Sequence, residues 1–419
     1  MNVKTPALRR ISFLLLAGFI VAGFLSDVAP LQGEELQAAD RGAPWRRHTI
    51  DDSSRGADGV RLADVNGDGL QDIVTGWEEG GKIRLYLNPG PEKATTPWPT
   101  VTVGNVASPE DAVFVDLDGD GATDVVSCCE GRQRTMFVHW APADPRRYLD
   151  ASAWKTEAIA ASKGRSWMFA APLQVDGRHG VDLVAGAKGA GAQVGWWEAP
   201  ANPRNMAAWR WRPLYDAGWI MSLATLDMDG DGDLDVLTTD RKGRNSGCLW
   251  LENPGAKSAS ARWKQHRIGL DGKEVMFLDA ADLDSDGLQD VLVATRSQQM
   301  FWLRRTSRTG RDWETHIVDQ PENTGTGKGI RVGDIDLDGK PDIVFSCENA
   351  KDDRSGVLWM SYRKAPTERT WNAHEISGPR GIKFDLVKLL DIDADGDLDV
   401  VTCEERNNLG VFWYENPTR

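Results

Sequence analysis

The densest chemistry in this chain lies in short stretches where acids alternate with small or neutral residues. Residues 227–235 read DMDGDGDLD, with acids at positions 1, 3, 5, 7 and 9 and glycine at positions 4 and 6. Like charges crowded this closely repel strongly unless something compensates them. A divalent cation does so, and hard oxygen donors at this density suit Ca²⁺ better than a transition metal. Acids at 1, 3 and 5 with glycine at 6 open an EF-hand loop, but the rest of that motif is missing. Thr238 stands where position 12 needs a bidentate Glu, and the flanks read as strands rather than amphipathic helices. The cation is held by another scheme.

The same frame returns along the chain. DVNGDGLQD occupies 64–72, DLDGDGATD 116–124, DLDSDGLQD 282–290, DIDLDGKPD 334–342 and DIDADGDLD 391–399. At 174–182, QVDGRHGVD keeps the frame but puts Gln174 in place of the first acid and Arg178 in place of the third. An arginine set where the cation would sit neutralises Asp176 and Asp182 by itself, so no metal is expected there. A single Asp-rich turn is well explained by side chains capping their own backbone. Six in register are not.

The elements that must position these loops share their period. Loop starts are spaced 52 to 58 residues apart, which signals a repeat architecture rather than several unrelated domains. Each loop is followed by an apolar strand, such as Val236-Leu237, and then by an aromatic strand, such as CLWLENP or VFWYENP. A tryptophan then opens a third segment, such as WKQHRI at 263. With the strand before each loop this makes four strands per repeat, and four-stranded sheets repeated radially form a β-propeller. Seven copies of each signal give an all-β, seven-bladed propeller of antiparallel blades. The first segment, WRRHTI at 45–50, has no loop before it, and the last, VFWYENP at 411–417, has no tryptophan strand after it. Strand 45–50 is therefore expected as the outermost strand of the seventh blade, antiparallel to 411–415, closing the ring.

With its D-x-D-x-D-G-x-x-D loops, the chain resembles the FG-GAP/VCBS repeat family over about residues 45–417. The resemblance implies Ca²⁺ as a structural ion tying each loop, with six sites. Carried over position by position, the ligands are Asp64, Asn66, Asp68 and Asp72; Asp116, Asp118, Asp120 and Asp124; Asp227, Asp229, Asp231 and Asp235. The other three sites are Asp282, Asp284, Asp286 and Asp290; Asp334, Asp336, Asp338 and Asp342; Asp391, Asp393, Asp395 and Asp399. Position 7 contributes its carbonyl alone, so Asp233 and Asp397 are not counted.

A net charge of -14 over 419 residues argues against nucleic acid, whose phosphates need a basic surface. Lys4, Arg9 and Arg10 precede the apolar run 11–25, and small residues follow, the order of a secretory signal peptide over 1–29. Residues 30–44 read as a linker and 45–419 as the propeller, an exported protein (secreted or periplasmic), monomeric and without a membrane span once processed. The five cysteines fit no metal motif and read as buried small residues, with at least one unpaired within the chain. His48, His266, His316 and His374 repeat on four different blades, which assigns them to packing rather than to one cluster.

Function belongs to residues that depart from the repeat. Before the loops, in one register, stand Asp58, Glu110, Met168, Met221, Met276, Lys328 and Asp385, with Trp167 and Trp219 beside them. After the apolar strands stand Glu78, Glu130, Lys188, Arg241, Arg296, Glu348 and Glu405. Together they rim a central funnel on the face opposite the loops, and the candidate ligand-binding residues are Trp167, Trp219, Arg241, Arg296, Lys328 and Glu348. One reading is a binding or scaffold module for a glycan, peptide or protein. The alternative is a carbohydrate-active enzyme (polysaccharide lyase, hydrolase or keto-sugar dehydratase) with its site in the funnel. Against catalysis, no histidine falls on the rim, and neither a nucleophile elbow nor a zinc motif occurs.

Overall fold

The computed structural model describes residues 41–419. The expected signal peptide and residues 30–40 of the expected linker lie outside the described residues. Seven four-stranded antiparallel sheets form the ring. The innermost strands are Ala57–Ala63, Pro109–Val115, Ser166–Leu173, Ile220–Leu226, Val275–Ala281, Thr326–Gly333 and Lys388–Leu390. Each continues through its Asp loop into a second strand, in blade 4 Asp235–Asp240, then the aromatic strand Gly247–Glu252 and the outer strand Lys264–Gly269.

Burial follows position in the blade. The second strands Asp72–Trp77, Asp124–Cys129, Asp235–Asp240, Asp290–Thr295 and Asp399–Glu404 are buried at every residue, because neighbouring blades cover both faces. That is why they read as apolar runs rather than as an alternation. The outer strands are only partly covered, mixing exposed and half-buried residues, as in Lys155–Ala158. In four blades the outer-strand histidine lies flat on the tryptophan of the adjacent aromatic strand: His48 on Trp413, His266 on Trp250, His316 on Trp302 and His374 on Trp359, with centroids 3.8–4.7 Å apart. These histidines do packing work on separate blades. All five cysteines are buried and free.

The ring closes through the N-terminal strand. Arg46–Asp51 pairs antiparallel with Gly410–Glu415, from Arg46 opposite Glu415 to Thr49 opposite Phe412, as the outermost strand of blade 7. The end of the expected linker is also engaged, the Arg41 carbonyl accepting the Glu375 N–H at 2.8 Å, and just after it the Trp45 N–H donates to the Ile376 carbonyl at 2.9 Å. Among the described residues no helix is long and apolar enough to cross a membrane.

One feature of the inner strands is invisible to periodicity. Six of the seven lose register with their neighbour at or next to the same point: after Asp58, Pro109, Trp167, Ile220, Val275 and Gly327. Bulges of this kind re-aim side chains. Here the bulged residues include Glu110, Met168, Met221, Met276 and Lys328, which line the central cavity.

Candidate functional site

The Asp loops share one hydrogen-bond frame. In 64–72, the Asp64 carboxylate accepts the N–H groups of Gly67 at 2.8 Å and Gly69 at 2.9 Å, and Asp68 accepts that of Leu70 at 2.9 Å. In blade 4, Asp227 accepts Gly230 and Gly232 in the same way. Glycine at position 6 holds φ of 85–96° in five of the loops, as at Gly69, Gly121 and Gly232, a backbone region disfavoured for residues with a Cβ.

The acid at position 9 does separate work. Asp72 accepts the Val65 N–H at 3.0 Å within the loop and the Asn88 N–H at 2.8 Å from the end of the aromatic strand, welding the two together. Asp124, Asp235, Asp290 and Asp399 repeat this double acceptance. So does Asp182, with Val175 at 2.9 Å and Ala199 at 2.7 Å, in the loop that lost its other acids. This explains why an acid survives there. Burial pushes these carboxyls up, to about 6 for Asp72, Asp182 and Asp290 and about 7 for Asp124, Asp235, Asp342 and Asp399.

The residues present fit a hard cation. Carboxylate oxygens of Asp116, Asp118 and Asp124 lie within 4.8 Å of one another, as do those of Asp227, Asp229 and Asp235, of Asp282, Asp284 and Asp290, and of Asp334, Asp336 and Asp342. One oxygen each of Asp229, Asp334 and Asp393 is buried without a hydrogen-bond partner. In the acid-poor loop the expected role of Arg178 is not what the structure has: its guanidinium pairs with neither Asp176 nor Asp182. Instead the Gln174 amide donates to the backbone carbonyls of Arg178 at 3.1 Å and Gly180 at 2.5 Å and accepts the Gly177 N–H at 2.9 Å. Gly180 is at position 7, whose carbonyl is the one expected to join a cation in a full loop; here it accepts from a side-chain NH₂. Elsewhere arginines reach two full loops. Arg204 Nη2 lies 3.2 Å from Asp120 and its Nε contacts Asp118, while Arg304 makes the same two contacts to Asp286 at 3.2 Å and Asp284 at 2.5 Å.

On the opposite face the inner strands open into a cavity of about 660 Å³. Trp219, Arg241, Arg296, Lys328 and Glu348 all line it. Trp167 does not join them. It is fully buried, packs against Trp197 and Trp211 with centroids 5.8 and 5.0 Å away, and donates its indole N–H to the Ser162 carbonyl at 2.7 Å. It belongs to the third blade's core. Trp219 is flanked by cations, with Arg241 and Lys188 at 4.4 and 4.7 Å from its ring centre.

Charge in the funnel is segregated. Blades 1 and 2 contribute only acids, Asp58, Glu78, Glu110 and Glu130; blades 3 and 4 contribute only the bases Lys188 and Arg241. Lys188 reaches back to Glu110 at 3.1 Å and contacts Glu130. Lys328 pairs with Asp385, Lys383 with Glu405 and Arg296 with Glu348. Burial raises Glu110 to about 8, whereas Glu130 stays low despite burial because Glu110 and Lys188 both donate to it. Burial and the Asp385 charge raise Asp58 well above the usual range, while Lys328 keeps Asp385 ionised. The funnel thus holds two carboxyl–carboxylate pairs, each clamped by a lysine. The apolar floor, Phe169 and Phe277, was not legible in the sequence, because it depends on the bulges.

A family model described as FG-GAP-like repeat matches residues 64–127 and 282–345. No curated protein sequence matches the chain. Among solved structures, BBS1N, crystallised in complex with ARL6DN and soaked with lead, is similar at 10% identity and a TM-score of 0.53, over 90% of this chain and 98% of that one. The mercury-soaked form of the same complex gives 8% identity and a TM-score of 0.51, over 89% and 97% of the two chains. YCF48 from Cyanidioschyzon merolae gives 10% and 0.50, over 90% and 99%. Such identities speak to fold alone. With the geometry above, the chain is a seven-bladed β-propeller in which residues 64–127 and 282–345 match the FG-GAP-like repeat.

Proposed function

We propose that the protein is an exported, Ca²⁺-stiffened binding module whose funnel face recognises a glycan or protein ligand. The observation that carries this is the 660 Å³ cavity, whose acidic wall on blades 1 and 2 and basic wall on blades 3 and 4 offer orientation as well as charge. Calcium at the six acidic loops would be structural, relieving the repulsion within each loop, and weakest at 116–124 and 282–290, where Arg204 and Arg304 already supply positive charge. Export rests on the basic and apolar order of residues 4–25. A protein ligand has a parallel in BBS1N, whose solved structure is a complex.

The test is a glycan array and a peptide library probed with the wild type and with Arg241→Ala and Arg296→Ala. These changes should weaken binding at least tenfold while the melting temperature moves little. Loss of binding only on changing the Asp-loop face would overturn this assignment. One observation favours the enzymatic alternative: the raised Glu110 beside the ionised Glu130 is an acid–base arrangement. An unsaturated product or a new chain end in a polysaccharide screen, lost in Glu110→Gln, would establish it.

A further inference from the structure

The central channel continues past the funnel floor. Met221 and Phe277 line the funnel and also a second cavity of about 280 Å³, so they partition the channel. The second cavity lies toward the ends of the inner strands that lead into the Asp loops. Its charged lining is Arg61, Arg331 and Lys388 against a single acid, Asp279; the rest is mostly aliphatic, including Leu223, Leu278 and Leu386.

The acids nearby are committed. Asp111 takes Arg61 through two hydrogen bonds of 2.9 and 3.2 Å. Asp279 pairs with Arg331 at 3.3 Å and accepts the Val332 N–H at 2.9 Å. Arg331 also donates to the carbonyls of Leu278 and Ile330. Among the described residues the Lys388 side chain has neither a hydrogen bond nor an ion pair, although it lines the same cavity. Burial, with Arg331 and Arg61 beside it, pushes its amine well below the usual lysine range. Three basic side chains therefore face two acids, and the half-buried Lys388 amine, which the Asp279 and Asp111 charges only partly offset, is the one left without a direct partner. A solitary buried ammonium is costly unless paired.

We propose that this cavity binds a small oxyanion (a carboxylate, sulfate or phosphate group) with Lys388 as its ion-pair partner and Arg61 and Arg331 bounding it. The space suits one such group with its waters and not a polymer chain. The site is independent of the funnel assignment, being on the other side of Met221 and Phe277.

The experiment is a calorimetric titration of the whole protein with sulfate, with sodium chloride holding ionic strength constant. One saturable site per chain is expected. Lys388→Met should weaken it at least tenfold, Lys388→Arg should keep it, and the funnel variant Arg241→Ala should leave it unchanged. Titrations with acetate and with phosphate in calcium-free buffer rank the oxyanions. Should Lys388→Met fail to fold, Lys388→Gln gives the same readout. No saturable sulfate binding in the wild type, or an affinity unchanged by removal of the Lys388 charge, overturns the proposal.

Discussion

His139 shows how much one buried side chain can set. It lies in the aromatic strand of blade 2, fully buried, with its two ring nitrogens 2.9 Å from the hydroxyls of Ser127 and Thr156. A Cβ on Gly104 would lie 2.1 Å from its ring, so glycine there is a steric requirement. Burial depresses its pKa from 6.5 to about 3. Between these values the unfolded chain carries the proton and the native chain does not, so stability rises with pH across that window and falls as pH drops through it. The slope contributed is at most about 1.4 kcal/mol per pH unit. His139→Gln should lower stability at neutral pH yet flatten the profile between pH 6.5 and 3 relative to the wild type, as read by denaturant melts at fixed pH. Equal slopes for the two proteins would show that this histidine is not held neutral.

At the scale of the element, the Asp loop combines two functions that one alanine scan can separate. Position 9 holds two backbone N–H groups, and does so at Asp182 even where the loop has lost its other acids. Asp182→Ala should therefore cost about 2–4 kcal/mol through unsatisfied buried donors, in calcium and in chelator alike. Asp229 has a buried oxygen without a hydrogen-bond partner, which a bound cation would satisfy. Asp229→Ala should lower the melting temperature in calcium and leave it unchanged or raised in chelator, because without the ion its charge only repels its neighbours. Calcium-independent loss at Asp229 would count against the metal assignment. The loop frame itself was legible as spacing of Asp and Gly. The engagement of the loop carbonyls by the Gln174 amide was not, because it depends on where a side chain folds back.

For the whole molecule, closure is the decisive contact. Relative to a chain beginning at residue 41, removal through Ile50 strips blade 7 of its outer strand and bares the edge Gly410–Glu415. Calorimetry should show loss of a single cooperative transition, and light scattering should show aggregation. Removal of residues 41–44 alone should cost about 1–3 kcal/mol, since it takes away the Arg41 carbonyl that caps Glu375. A cooperative, monomeric protein lacking residues 45–50 would mean that the ring holds without its N-terminal strand.

The sequence by itself determined the blade count, the strand order, the closing strand and the face on which the acidic loops gather. Each of these is local or periodic: a turn that requires glycine, an apolar run long enough for one strand, a tryptophan every blade. Tertiary structure alone decided which irregular residues meet. The bulges beside Met168 and Met221 turn side chains into the channel, and a one-residue shift in pairing reverses the face a strand presents. Trp167 and Trp219 occupy similar sequence contexts, yet the first is sealed against Trp197 and Trp211 and the second reaches the cavity. The unpartnered amine of Lys388 likewise exists only because residues from blades 1, 2, 5, 6 and 7 converge on one axis, and no spacing along the chain records that convergence.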